Sequence, residues 1–122
     1  MLRKGALVVA LAVVMLFASV GVAHAWDSIA TKDGHGRVTL RAWTKNYNQV
    51  AFVADHGGTR IAVAITVDCR DGYHFDNTWH DGGSRFRYIL DRLGSHGRCN
   101  HTFKVTPSSS FPLITLTIFA RG

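Results

Sequence analysis

The sequence predicts a single all-β domain, built as an antiparallel two-sheet sandwich with one disulfide. Three observations lead to this fold class. Apolar and polar residues alternate in several short segments, turn clusters separate these segments, and Cys69 and Cys99 both fall on the apolar side of theirs. Several short strands joined by such turns are typical of antiparallel sandwiches and barrels, and we expect the sandwich.

Six segments alternate with the period of two that a half-buried strand requires. Residues 61–69 give the clearest strand, because β-branched side chains recur at every second position. Turn clusters lie at 55–59, 70–72, 94–97 and 107–112. In chain order, the apolar positions are Val38, Leu40 and Ala42; Val50, Phe52 and Ala54; Ile61, Val63, Ile65, Val67 and Cys69; Tyr73, Phe75 and Trp79; Cys99, His101, Phe103 and Val105; and Ile114, Leu116, Ile118 and Ala120.

The segment 84–93 departs from this pattern. Phe86, Ile89, Leu90 and Leu93 recur at helical spacing, Ser84 could cap the start of a helix, and Gly94 follows its end. The sequence therefore predicts either a short helix or a strand here.

The two cysteines are expected to form a disulfide, which would tie either the two sheets or two neighbouring strands. Trp79 follows Cys69 by ten residues, a spacing that resembles the core of immunoglobulin-type domains. The 30-residue separation of Cys69 and Cys99 is shorter than in that family, and Gly97 stands where its tyrosine is expected. The resemblance implies an immunoglobulin-like architecture without implying a function.

Residues 1–25 are predicted to be a signal peptide. Arg3 and Lys4 precede an uncharged apolar run over residues 5–22, and Ala23 to Ala25 form a small-x-small cleavage pattern. Residues 26–122 are then a single secreted β domain, either extracellular or periplasmic, with no transmembrane segment after cleavage. A disulfide suits such an oxidising compartment.

The charge pattern narrows the choice of partners. The formal net charge of +6 falls to +4 when Arg3 and Lys4 leave with the signal peptide, and all eight acidic residues are Asp. A basic surface could attract an anionic partner, or it could simply keep the protein soluble. The basic residues are scattered, and the sequence has neither a specific nucleic-acid motif nor a phosphate-binding glycine loop.

The favoured function is that of a small non-enzymatic binding domain for an extracellular protein or polysaccharide. Trp43 lies on the polar side of its strand, Arg41 shares that side, and Tyr47 follows in the next turn. Exposed aromatic side chains beside polar groups can stack on sugar rings or anchor a protein interface. These three residues are the predicted contacts.

A protease inhibitor is the first alternative. The loop 94–99 ends in Arg98 and Cys99, so a disulfide would anchor it beside a basic residue suited to a trypsin-like pocket. Such anchoring reduces the ordering cost of binding.

A small hydrolase or metal-binding protein is the second alternative. His74, Asp76 and His80 share one side of a predicted strand and could bind zinc or copper in this alternative, whereas the favoured binding domain needs no cofactor. In a straight strand, the two histidines would be about 20 Å apart at ~3.3 Å per residue, so a shared ion requires a bend. His101, on an apolar side, is a candidate catalytic base, although no Gly-x-Ser-x-Gly motif accompanies it.

Overall fold

The computed structural model describes residues 25–122, which form eight β-strands and one short 3₁₀ turn at Gly94–His96. The predicted signal peptide lies outside these residues except for Ala25. No helix of the described part is both long and apolar enough to cross a membrane. The strands are β1 (Asp27–His35), β2 (Val38–Thr44), β3 (Gln49–Asp55), β4 (Ile61–Cys69), β5 (His74–Asp81), β6 (Arg85–Leu90), β7 (Cys99–Pro107) and β8 (Leu113–Arg121).

The strands build two antiparallel four-stranded sheets that pack as a sandwich, which confirms the predicted fold class. Sheet A has the order β1-β8-β3-β6, and sheet B has the order β2-β7-β4-β5. Every connection except the β4–β5 hairpin crosses from one sheet to the other. This is the strand order of a jelly roll, and it differs from the order of immunoglobulin-type domains.

The segment 84–93 contains a strand, so the prediction of a short helix is wrong and its alternative is correct. β6 pairs with β3 over six consecutive residue pairs, and Phe86 and Leu90 are buried on its inner side. Leu93 is also buried, but it lies beyond the strand, after Arg92 in a left-handed conformation. The apparent helical spacing is therefore a strand followed by a turn that folds inward.

The core lies between the sheets, where Phe52 of β3 meets Phe103 of β7 edge to face at 5.5 Å. Cys69 and Cys99 are directly opposite in β4 and β7, so the confirmed disulfide ties neighbouring strands of sheet B. Trp79 is opposite Val63 near the start of β4, whereas Cys69 is the last residue of that strand, so the indole does not lie beside the disulfide. The side where β5 and β6 meet is closed by an aromatic cluster of Phe75, Trp79, Phe86 and Tyr88.

A buried histidine ties the β3–β4 turn to the end of β5. His56 is fully buried, and its Nδ1 lies 2.6 Å from the carbonyl oxygen of Thr59. Its Nε2 lies 2.7 Å from Oδ2 of Asp81, which is about one third exposed. Both ring nitrogens therefore face oxygen acceptors, a backbone carbonyl on one side and a carboxylate on the other.

Replacing Asp81 by Asn is expected to lower the free energy of unfolding by about 2 kcal/mol, because it leaves a buried imidazole without its carboxylate partner. The value lies below the usual range for a buried pair because Asp81 is partly exposed. Urea unfolding at pH 7 measures it. Asp68→Asn is the matched control, since the His74–Asp68 pair is exposed and we expect a loss below ~1 kcal/mol. Equal losses for the two variants would contradict a structural role for the buried pair.

Candidate functional site

The outer face of sheet A carries a groove whose floor is the central strand β3. Strands of a sandwich normally bury only one face, but β3 buries both. Its outward residues Ala51 and Val53 are only 2% and 8% exposed. Small side chains on a central strand leave a depression that the longer side chains of neighbouring strands surround.

The walls of this groove combine aromatic and polar side chains. Its cavity volume is about 290 Å³, near the lower end of the usual range for small-molecule sites. Beyond the floor, the lining residues are Trp26, Asp55, Arg85, Arg87, Thr117 and Phe119. An apolar floor with a few polar groups at its margin is the usual composition of a ligand site.

Contacts with sheet A position the Trp26 ring. The guanidinium of Arg121 lies over this ring, 4.3 Å from its centroid. Nε of Arg121 also donates a hydrogen bond to Oε1 of Gln49 on β3. Arg121 is thus held between Gln49 and the indole of Trp26. Its cation–π interaction helps to orient the Trp26 ring.

An ion pair borders the groove on the side of β6. Nε of Arg85 donates to Oδ1 of Asp55 at 2.7 Å, and both side chains are largely exposed. The hydrogen bond with Asp55, followed by its negative charge, raises the pKa of Arg85 above its ordinary value. The pair places one hydrogen-bonding acid and one base at the same margin.

The outer face of sheet B carries Trp43 and Arg41, two of the predicted contacts. Trp43 is 57% exposed, in agreement with its polar-side position, and Arg98 lies over its ring at 4.7 Å. On β7, Asn100 is opposite Trp43 and Thr102 is opposite Arg41. This part of the face is polar with one exposed indole, and a separate depression of about 250 Å³ lies beside it around Ala62, Ala64 and Lys104.

Tyr47 does not join that surface. It lies in the β2–β3 turn, packs against the core, and donates a hydrogen bond from its hydroxyl to Oδ2 of Asp27 at 3.2 Å. Desolvation, followed by the negative charge of Asp27 and the hydrogen bond with it, raises the pKa of Tyr47. The structure therefore brings together Trp43, Arg41 and Arg98, but not Tyr47.

The loop 94–99 is held by several contacts. The carbonyl of Arg98 accepts a hydrogen bond from the backbone N–H of Arg70 at 2.8 Å. His96 stacks on Tyr73 at 4.1 Å, and its Nδ1 lies 2.8 Å from Oδ2 of Asp71. Hydrogen bonds from the Tyr73 N–H and then from His96 lower the pKa of Asp71. A protease would have to displace Arg98 from Trp43, so this geometry does not favour the inhibitor hypothesis.

The proposed metal ligands His74, Asp76 and His80 do share one face, the outer face of sheet B. However, β5 pairs with β4 through an unbroken register, so no bend brings the two histidines together. Within residues 25–122, no three side chains of the types His, Cys, Asp or Glu are placed to hold a metal ion. His74 instead contacts Asp68 at 2.6 Å, and this hydrogen bond raises the pKa of His74.

His101 lies in the core, as its apolar-side position predicts. It is fully buried, and its Nε2 shares a hydrogen bond of 2.8 Å with Oγ1 of Thr44. Burial lowers its pKa to about 4, so the ring is neutral at pH 7. It faces Phe52 rather than any surface groove.

The groove of sheet A was not predicted from the sequence, although two signals were available. Residues 50–54 are five consecutive apolar residues, which indicates a strand buried on both faces. Phe119 also breaks the alternation of β8 by placing a large aromatic ring on the outer side. Together they mark the outer face of sheet A as more than a solvated surface.

Comparison with known proteins supports the fold. No family model and no curated protein matches the chain. Among solved structures, the carbohydrate-binding module TmCBM61, in complex with β-1,4-galactotriose, has a TM-score of 0.52 at 11% identity, over 75% of this chain and 68% of that one. A Yersinia pseudotuberculosis-derived mitogen has a TM-score of 0.47 at 7% identity, over 81% of this chain and 86% of that one. The module described as "Family 16 Carbohydrate Binding Module-2" has a TM-score of 0.37 at 9% identity, over 83% and 84%. At such identities, the likeness is one of fold alone.

Proposed function

We propose that residues 26–122 form a small secreted, non-enzymatic carbohydrate-binding domain whose ligand occupies the groove of sheet A. The observation that carries this proposal is an oriented indole and a phenyl ring, Trp26 and Phe119, bordering a depression with an apolar floor. The apolar face of a sugar ring can pack on such aromatic surfaces.

Polar groups at the margin provide the other half of sugar recognition. The carboxylate of Asp55 accepts hydrogen bonds from sugar hydroxyls, while the guanidinium of Arg85 donates them. The hydroxyl of Thr117 can do either. The ion pair between Asp55 and Arg85 fixes both groups before the ligand arrives, which reduces the ordering cost of binding. The fold-level likeness to TmCBM61, whose complex holds a galactotriose, is consistent with this assignment.

The Trp43 surface of sheet B is the second candidate contact region, for a protein or a polysaccharide. The 57% exposure of Trp43 and its contact with Arg98 favour it. It has one exposed aromatic ring, whereas two rings, those of Trp26 and Phe119, border the groove. For a small sugar ring we therefore rank the groove first.

Trp26→Ala is expected to weaken binding to a cognate glycan at least tenfold, or about 1.4 kcal/mol, because it removes the stacking platform. Residues 26–122 would first be screened against galactan, xylan, mannan, β-glucan, chitin and cellulose. Calorimetry with oligosaccharides of the polymers that bind then measures the affinity of each variant.

Trp43→Ala distinguishes the two candidate regions, because it removes the other arginine-stacked indole. If only Trp26→Ala weakens glycan binding, the groove is supported as the site. If only Trp43→Ala weakens it, the site lies on sheet B. If none of the glycans is bound, the carbohydrate proposal is rejected. Circular dichroism of each variant checks that the fold is retained.

A further inference from the structure

The charges around the groove are not balanced. Arg85 is paired with Asp55, so these two charges offset each other. Arg87 borders the same groove, and within residues 25–122 it makes no ion pair. Arg121 adds a second positive charge beside Trp26. Its cation–π contact with Trp26 and its hydrogen bond to Gln49 both involve neutral groups. The groove therefore carries a net positive charge at its aromatic end and centre.

The register of sheet A places Arg87 close to the floor. Arg87 is opposite Val53 on β3, and Val53 is in turn opposite Thr117 on β8. The other acid facing outward, Asp33, is opposite Thr115 and belongs to the edge strand β1. It is three strands from β6, or about 14 Å at ~4.8 Å per strand, so it is too distant to neutralise Arg87.

We infer that the groove selects a glycan that contains uronic acid, with the Arg87 guanidinium binding the sugar carboxylate. This inference rests on the proposed function and adds a ligand class to it. Arginine presents a rigid planar fork that matches a carboxylate in a two-point hydrogen bond, and the unpaired charge leaves that fork available.

The same face argues against densely sulfated ligands. Asp55 lines the same groove as Arg87, so a chain with several charges on each sugar would bring further anionic groups close to the Asp55 carboxylate. A single carboxylate on each sugar needs only the contact with Arg87. A monoanionic sugar ring that stacks on Trp26 or Phe119 thus fits the groove better than a sulfated one.

The test compares two polymers that differ only in their carboxylates. Polygalacturonate and the same polymer after reduction of its carboxyl groups would be titrated into residues 26–122 at 150 mM salt. We expect the acidic polymer to bind at least tenfold more tightly. Arg87→Gln should reduce this ratio to below threefold, whereas Arg87→Lys, which keeps the charge but not the fork, should give an intermediate ratio.

Arg60→Gln is the matched control, because it removes the same charge from an exposed loop outside the groove. A ratio that falls equally with Arg60→Gln would overturn the inference in favour of general charge attraction. Tighter binding of dextran sulfate than of polygalacturonate would also overturn it. If none of polygalacturonate, alginate and hyaluronan is bound, the inference is rejected. Binding of any neutral glycan in the panel would still support the proposed function.

Discussion

Replacing both cysteines by alanine is expected to lower the free energy of unfolding by about 3–4 kcal/mol. The disulfide joins residues 30 positions apart, and in the chain-entropy model a loop of this length restricts the unfolded chain by that amount. For a single domain, whose total stability is of the order of 5–15 kcal/mol, this is a large share. Urea unfolding of Cys69→Ala/Cys99→Ala against the oxidised wild type measures the difference.

The same variant separates stability from binding. The disulfide lies within sheet B, whereas the groove lies on the outer face of sheet A. At a temperature where the variant is still folded, its glycan affinity should match that of the wild type within about twofold. A much larger loss of affinity would mean that the disulfide also shapes the groove. A stability change below ~1 kcal/mol would contradict the predicted loop-closure effect.

Stability is also expected to fall on acidification because of His101. Its folded-state pKa is about 4, below the ordinary value of 6.5, so the unfolded chain takes up the proton first. The contribution of His101 to the free energy of unfolding is thus fully present above pH 6.5 and is lost as the pH falls from 6.5 to about 4. Below pH 4 this contribution does not change further. The loss amounts to about 3 kcal/mol between pH 7 and pH 4.

A variant without the titrating ring isolates this effect from those of the other ionisable groups. His101→Leu combined with Thr44→Val removes the imidazole and also the hydroxyl that would otherwise be left buried without its partner. Between pH 7 and pH 4, its free energy of unfolding should fall by about 3 kcal/mol less than that of the wild type. Parallel profiles for the two proteins would show that His101 does not titrate as inferred.

The sequence predicted the strands other than β1 because alternation is a local signal, whereas β1 (Asp27–His35) lacks that alternation and was not predicted. Residues 61–69 form a single strand, as their β-branched pattern indicates, and Cys69 meets Cys99 as their shared apolar side suggests. The segment 84–93 was ambiguous because a strand and an inward turn together mimic helical spacing. The jelly-roll order was not predicted, since the sheet that receives each strand depends on contacts between residues distant in the sequence.

The candidate site was predicted less well, for a similar reason. The outward position of Trp43 follows from strand alternation alone. The groove requires Trp26, Ala51 and Phe119 to come together from three separate parts of the chain, which no local pattern indicates. The histidines illustrate the reverse case, because His74 and His80 share a face but the straight strand keeps them apart.

The three tryptophans occupy three different environments, so intrinsic tryptophan fluorescence can report on three regions of the protein. Trp26 borders the groove under Arg121, Trp43 lies on the opposite sheet under Arg98, and Trp79 packs in the aromatic cluster between β5 and β6. Variants that keep one indole at a time would therefore have fluorescence that reports separately on ligand entry, on the sheet B surface and on unfolding. A ligand in the groove should change the emission of Trp26 and leave that of Trp79 unaltered.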